Sequence, residues 1–147
     1  MKTNNFLIKI IILSLFFLPL TAAENSNYFH EGKKLYEKKM FDESKIFFER
    51  DIVHNPLSEG SYLYLAKIFN KTNDFEQEEV NLNNTLLINP DNSEAIYMLT
   101  IIKIEKSDYK KAKELLNKYI LVCKNDCSKR FEMEKKYNKI VPKDGKN

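Results

Sequence analysis

From residue 28 onward, apolar positions return every three or four residues, the spacing that gathers them into one stripe of an α-helix rather than one face of a strand. Three stretches repeat the pattern in the same way: FDESKIFFERDIVHNP at 41–56, FEQEEVNLNNTLLINP at 75–90 and YKKAKELLNKYILV at 109–122. Pro56 and Pro90 lie 34 residues apart, each after Asn and a helical apolar run, and a further 34 reaches Lys124 after YILVC. Ahead of each stretch runs a second helical segment, YFHEGKKLYEKK, YLYLAKIFNK or IYMLTIIKIEK, with Gly32, Ala66 or Thr100 in the same slot. A fixed period of this length predicts stacked helical hairpins. The recurring small residue fits a point where two helices cross closely, since a bulky side chain there would hold the backbones apart.

Local chemistry predicts where these helices begin and end. Asp42, Asp74 and Asp108 stand beside the turn aromatics Phe41, Phe75 and Tyr109, where an acid can cap a helix N-terminus or meet the positive end of its dipole. Ser93 is the expected cap of the third unit. The prolines stop the helices before them, because the residue preceding a proline disfavours the α conformation. Beyond Asp126, SKRFEMEKKYNKIV reads as a seventh helix with Phe131, Met133 or Glu134, and Tyr137 towards one side. Such a helix would cover the apolar flank that a stack of hairpins exposes at its end.

These residues resemble the tetratricopeptide repeat family, whose 34-residue unit is a helix-turn-helix. The family's bulky opening position is matched by Tyr28, Tyr62 and Ile96, its small residue by Gly32, Ala66 and Thr100, and its turn aromatic by Phe41, Phe75 and Tyr109. In the second helix the matches are Phe48, Leu82 and Leu116, with Pro56 and Pro90 closing two units. The resemblance implies an all-α right-handed superhelix of three units, at about 25–58, 59–92 and 93–126, plus a C-terminal capping helix at 127–140 and a flexible tail at 141–147. Two positions depart from the pattern. The family's second-helix alanine is Glu78 in the second unit, and a later small slot holds Asp51 in the first. A buried carboxylate without a partner costs several kcal/mol, so these two are expected to reach solvent or a cation, with shifted helices or a wet seam around them.

The first 23 residues follow other rules. Lys2 and Lys9 give a basic start, IKIIILSLFFLPL an apolar core and TAA at 21–23 the small residues a signal peptidase prefers. The run from Ile10 to Leu20 is shorter than the roughly 20 apolar residues that cross a bilayer, so a cleaved signal peptide is expected, with an uncleaved anchor as the alternative. The mature chain, 24–126 with its cap and tail, is then expected to be periplasmic or secreted and to span no membrane. Its net charge drops from +3 to +1, because the leader holds two lysines and no acid. That balance leaves no electrostatic footprint for nucleic acid.

Composition agrees with a helical globular chain: 31% charged, 43% hydrophobic, three glycines and four prolines. Cys123 and Cys127, in VCKNDCSK, fall at the end of the third unit in an exported setting, where a disulfide would staple the turn into the seventh helix; free thiols are the alternative. Their spacing matches neither a CxxC redox motif nor a four-ligand zinc site. His30 and His54 are expected on the surface, and HEG lacks the second histidine of a helical zinc site. No Gly-rich phosphate loop or catalytic constellation is present, so no enzyme activity, metal or cofactor is expected. Two glycosylation sequons, at Asn70 and Asn83, count only in a eukaryotic setting.

Function is therefore sought on a surface. In the resembling family the first helices line a concave face, and the side chains at the matching places are Phe29, Lys33, Tyr36, Leu63, Lys67, Asn70, Tyr97, Ile101 and Ile104. An aromatic and aliphatic groove with two lysines suits a protein or peptide whose apolar anchors fill it while a carboxylate meets Lys33 or Lys67. The family's clamp for a C-terminal carboxylate needs lysine and asparagine pairs that Phe29, Lys33, Tyr64, Glu94 and Met98 do not supply. The expected function is an exported adaptor or scaffold in an envelope assembly or secretion complex. The alternative is a structural, self-associating repeat protein without a peptide groove.

Overall fold

The computed structural model describes residues 27–124 and 127–140, and the predicted leader at 1–23 and tail at 141–147 lie outside them. The described residues form seven α-helices and no strand: α1 (Tyr28–Glu37), α2 (Phe41–His54), α3 (Glu59–Thr72), α4 (Phe75–Ile88), α5 (Ser93–Glu105), α6 (Tyr109–Val122) and α7 (Ser128–Ile140). The heaviest packing is within the pairs α1 with α2, α3 with α4 and α5 with α6. The pairs are joined in series by α2 against α3 and α4 against α5, while α7 lies against both α5 and α6. No helix among the described residues is long and apolar enough to cross a membrane.

Each hairpin turn is closed in the same way. Lys39, Asn73 and Ser107, spaced 34 residues apart, all take positive φ, at 63°, 57° and 59°. The next amide then reaches back to a helix carbonyl: Met40 N–H to Leu35 at 3.0 Å, Asp74 N–H to Phe69 at 3.0 Å and Asp108 N–H to Lys103 at 2.9 Å. Such left-handed closures satisfy carbonyls left over at a helix C-terminus. None of the three residues is glycine, the type that adopts this conformation at least cost, so composition alone did not reveal the turn.

The N-termini differ from one another. Asp74 accepts from Gln77 N–H and Asp108 from Lys111 N–H, so both are caps as expected. Asp42, by contrast, sits inside the first turn of α2, whose N-cap residue Met40 makes no side-chain hydrogen bond. The cap of α5 is Asn92, accepting from Ala95 N–H at 2.8 Å, and Ser93 is the first helical residue. The amide oxygen of Asn92 reaches the free N–H from one position outside the helix, where a cap belongs.

Gly32, Ala66 and Thr100 are all buried, as close crossings require. A Cβ on Gly32 would stand 2.9 Å from the Phe48 ring, and Ser44 Oγ donates to the Gly32 carbonyl at 2.8 Å across the same crossing. Two apolar clusters fill the interior. The first gathers Phe48, Leu65 and Ile68 with Phe29, Tyr36, Phe41 and Tyr64 around them. The second runs through Ala66, Leu82, Ile96, Leu99, Leu115, Leu116 and Tyr119 to Met133 of α7. On α7 the inward residue is Met133, fully buried, whereas Phe131 is 74% exposed. Two positions along a helix turn a side chain by about 200°, so both cannot face the same neighbours.

The two carboxylates that depart from the repeat pattern behave otherwise than expected. Asp51 and Glu78 are 8% and 1% exposed, and neither meets a cation. Asp51 Oδ2 accepts from Ser61 Oγ at 2.6 Å, and both oxygens of Glu78 accept from the Asn70 amide at 3.1 Å. Neutral donors on the neighbouring helix offset part of the desolvation cost in place of water or lysine. No buried side-chain N or O atom among the described residues lacks a partner.

Candidate functional site

The nine residues expected to share a face come from the first helix of each pair: Phe29, Lys33 and Tyr36 from α1, Leu63, Lys67 and Asn70 from α3, and Tyr97, Ile101 and Ile104 from α5. Steps of four and three residues keep each trio on one helical stripe. Their fates differ. Phe29 and Tyr36 are half-buried in the aromatic cluster, with Phe29 ring centroids 5.9 Å from both Phe48 and Tyr64, and Tyr36 5.0 Å from Tyr64. Leu63 packs against the second apolar cluster. Ile104 is 2% exposed and belongs to the core; α5 is covered by α4, α6 and α7, so its last turn has no open apolar side at that position.

Three of the polar members already have partners. Lys67 Nζ pairs with Glu94 at 2.8 Å and lies 4.8 Å from the Tyr64 ring centre. Asn70 serves Glu78, as described above. Tyr97 Oη donates to Glu132 of α7 at 2.9 Å, with Lys129 Nζ 4.9 Å from its ring centre. Burial and that carboxylate push the Tyr97 hydroxyl up to about 12, so it remains a donor throughout the physiological range. The same bond, with Lys129 nearby, lowers the pKa of Glu132. Lys33 is exposed and makes no ion pair or hydrogen bond among the described residues.

Asn70, Tyr97 and Ile101 come together at a cleft of about 400 Å³. Its other walls are Asn73 in the α3–α4 turn, Phe75 and Glu78 at the start of α4, Met98, Ile102 and Glu105 of α5, and Lys136 of α7. Burial raises the pKa of the Glu78 carboxyl; the Asn70 amide opposes the shift and the Glu105 carboxylate adds to it. The adjacent Glu79 is lowered instead, chiefly by hydrogen bonds from Lys103 and Lys106, the Lys106 contact being 2.6 Å. Phe75, Glu78 and Lys136 escaped the sequence reading because it took the face from first helices alone, and Met98 and Glu105 because they lie one position beyond the chosen stripe of α5. The signal that was present was Glu78, an acid in a small-residue slot.

A second hollow, about 300 Å³, is lined by Pro56, Leu57, Tyr62, Asn84, Leu87 and Ile88. Cys123 and Cys127 are joined in a disulfide, with Cα atoms 5.7 Å apart, across the connection from α6 to α7. Among the described residues no group of three or more His, Cys, Asp or Glu is placed to hold a metal ion.

The helical pairs, their order and their turns give the chain the fold of tetratricopeptide repeat domains. It is similar to the TPR domain of Arabidopsis OM64, at 22% identity and a TM-score of 0.69, covering 80% of this chain and 98% of that one. The Sgt2 TPR domain from Aspergillus fumigatus matches at 19% identity and a TM-score of 0.67, over 80% of each chain. The first TPR of Spaghetti (RPAP3), solved bound to the HSP90 peptide SRMEEVD, matches at 14% identity and a TM-score of 0.69, over 78% of this chain and 91% of that one. No family model matches the sequence, and no curated protein matches it either.

Proposed function

We propose that this protein is an exported adaptor that holds a protein or peptide partner along the face built by α1, α3 and α5. In this reading three TPR units, 25–58, 59–92 and 93–126, coil as a right-handed superhelix closed by a capping helix at 127–140. The leader at 1–23 sends the chain to the periplasm or outside the cell, where the Cys123–Cys127 bond is at home. The observation that carries it is the cleft at Asn70, Tyr97 and Ile101, a concave site in which Phe75, Met98, Ile101 and Ile102 alternate with the polar Asn70, Asn73, Glu78, Glu105 and Lys136. The solved complex of a similarly folded TPR domain with an HSP90 peptide supports the same use of the fold. No catalytic step is proposed.

A second reading, self-association without a peptide groove, is favoured by one feature. Val53, Leu87 and Leu121, 34 residues apart near the ends of α2, α4 and α6, are 77%, 82% and 82% exposed. A ladder of exposed aliphatics on second helices suits packing between copies. A photo-crosslinking amino acid placed in turn at Ile101 and at Leu87 in the producing cell separates the two. Adducts to a different protein from position 101 are expected. Adducts from position 87 alone, at twice the mass of this chain, would overturn the adaptor reading.

A further inference from the structure

The cleft is unlike the rest of the expected groove in charge. Glu78 forms part of its wall with a buried carboxylate whose orientation the Asn70 amide fixes through both oxygens. Glu105, at the last turn of α5, adds a second carboxylate that makes no hydrogen bond or ion pair among the described residues. Of the nearby cations, Lys103 and Lys106 are bound to Glu79, while Lys136 lines the cleft, 3.7 Å from Glu132. Around these charges stand Phe75, Tyr97, Met98 and Ile101, surfaces against which a methylene stem can lie and an aromatic face can meet a positive head.

We propose that the cleft receives an arginine or lysine side chain of the partner peptide, with Glu105 facing its cationic head, Glu78 contributing from within the wall, and Phe75, Tyr97 and Ile101 packing its stem. This rests on the groove-binding reading above and reverses its charge preference at this end. Lys67, which a partner carboxylate was expected to meet, is already paired with Glu94, while the carboxylate at Glu105 is open. A cation placed here would relieve the repulsion between Glu78 and Glu105, and an anion would add to it.

The test is a titration of the ¹⁵N-labelled full-length chain with three capped tripeptides, leucine at both ends and arginine, norleucine or glutamate in the centre. The arginine peptide is expected to shift the amide signals of Met98, Ile101 and Glu105 saturably. The norleucine peptide should bind at least about tenfold more weakly and the glutamate peptide more weakly still. Glu105→Gln, at an exposed position, should remove most of the advantage of arginine, and Glu105→Lys should turn the preference towards glutamate. Equal affinity for arginine and norleucine, or an arginine preference untouched by Glu105→Gln, overturns the basic-anchor inference. If all three peptides bind equally at Met98 and Ile101, the inference falls and the groove reading survives. If none shifts these signals, both fall.

Discussion

The two seams between successive helical pairs are built from different materials. Where the first pair meets α3 the contact is aromatic, with the Tyr64 ring 5.9 Å from Phe29 and 5.0 Å from Tyr36 and Phe48, and a single buried acid, Asp51, bonded to Ser61. Where α4 meets α5 the contact is aliphatic and is framed by charge. Ala95, Ile96, Leu99 and Ile102 fill it, Glu79 holds Lys103 and Lys106 on one side, and Glu59 receives Asn89 at 3.0 Å together with Asn92 on the other. The helices at the two ends differ accordingly. In α1 only Gly32 is buried, while α5 buries Ala95, Ile96, Leu99, Thr100, Ile102 and Ile104. A helix covered on three sides carries the stability of a stack, and one covered by α2 with only a light contact to α3 borrows it from its neighbours.

The largest effects should come from cutting each cluster at its centre. Phe48→Ala is expected to cost about 3–5 kcal/mol and Leu116→Ala about 2–5 kcal/mol, the usual range for emptying a fully buried site. Their distribution matters more than their size. Hydrogen exchange should show Phe48→Ala exposing the amides of α1 and α2 while α5 and α6 stay protected. Leu116→Ala should lower protection throughout. Uniform loss in both variants would mean that the two seams act as one unit.

Next in size is the Cys123–Cys127 bond, which ties α7 to the aliphatic half only. Closing so short a loop is worth about 2 kcal/mol in the chain-entropy model. Reduction, or Cys123→Ser with Cys127→Ser, should therefore lower stability by no more than that, and the fall in protection should appear in α7 before α1. A drop in α1 first would contradict the division of the molecule into two regions.

The period of 34, the six repeat helices, the seventh helix and the close-crossing slots were legible because each is written in residue type at fixed spacing. The turns were not. Their left-handed residues are Lys39, Asn73 and Ser107, and two of these are types that carry no signal for positive φ. Nor was the state of the site residues. Phe29, Lys67 and Ile104 occupy equivalent stripes on their helices, yet one stacks in an aromatic cluster, one is paired with Glu94 and one is buried. What surrounds a stripe depends on which helices flank it, and α1 and α5 have different flanks. The cleft also draws on α4 and α7, which no stripe on the first helices contains.

Smaller effects test the crossings and turns of the first region. Gly32→Ala pushes a methyl against the fully buried Phe48 ring, and Gly60→Ala meets the half-buried Phe29 ring at 2.7 Å. Overpacking of about 1–3 kcal/mol against about 1 kcal/mol of helix propensity gained leaves both destabilising in urea unfolding, Gly60→Ala the less because its ring is partly exposed. Lys39→Gly relieves the left-handed strain at the first turn and should stabilise by about 1 kcal/mol at most. Asn73→Gly should gain less, because asparagine tolerates that region.

The smallest effect is a difference in pH response between two adjacent residues of α4. Glu79 has its pKa lowered by Lys103 and Lys106, so it contributes stability that is present above the ordinary carboxylate pKa and is lost as pH falls through the lowered value. Glu78 has its pKa raised by burial, so its native form holds a proton longer than the unfolded chain does. It therefore costs stability as pH rises from the ordinary carboxylate range through the raised value. Replacing Glu79 by Gln should flatten the acid-side loss, and replacing Glu78 by Gln should flatten the decline above it, each followed by thermal unfolding across pH 3–7. If both variants change the profile in the same direction, the neutral Asn70 and the charged lysines are not what sets these two carboxylates apart.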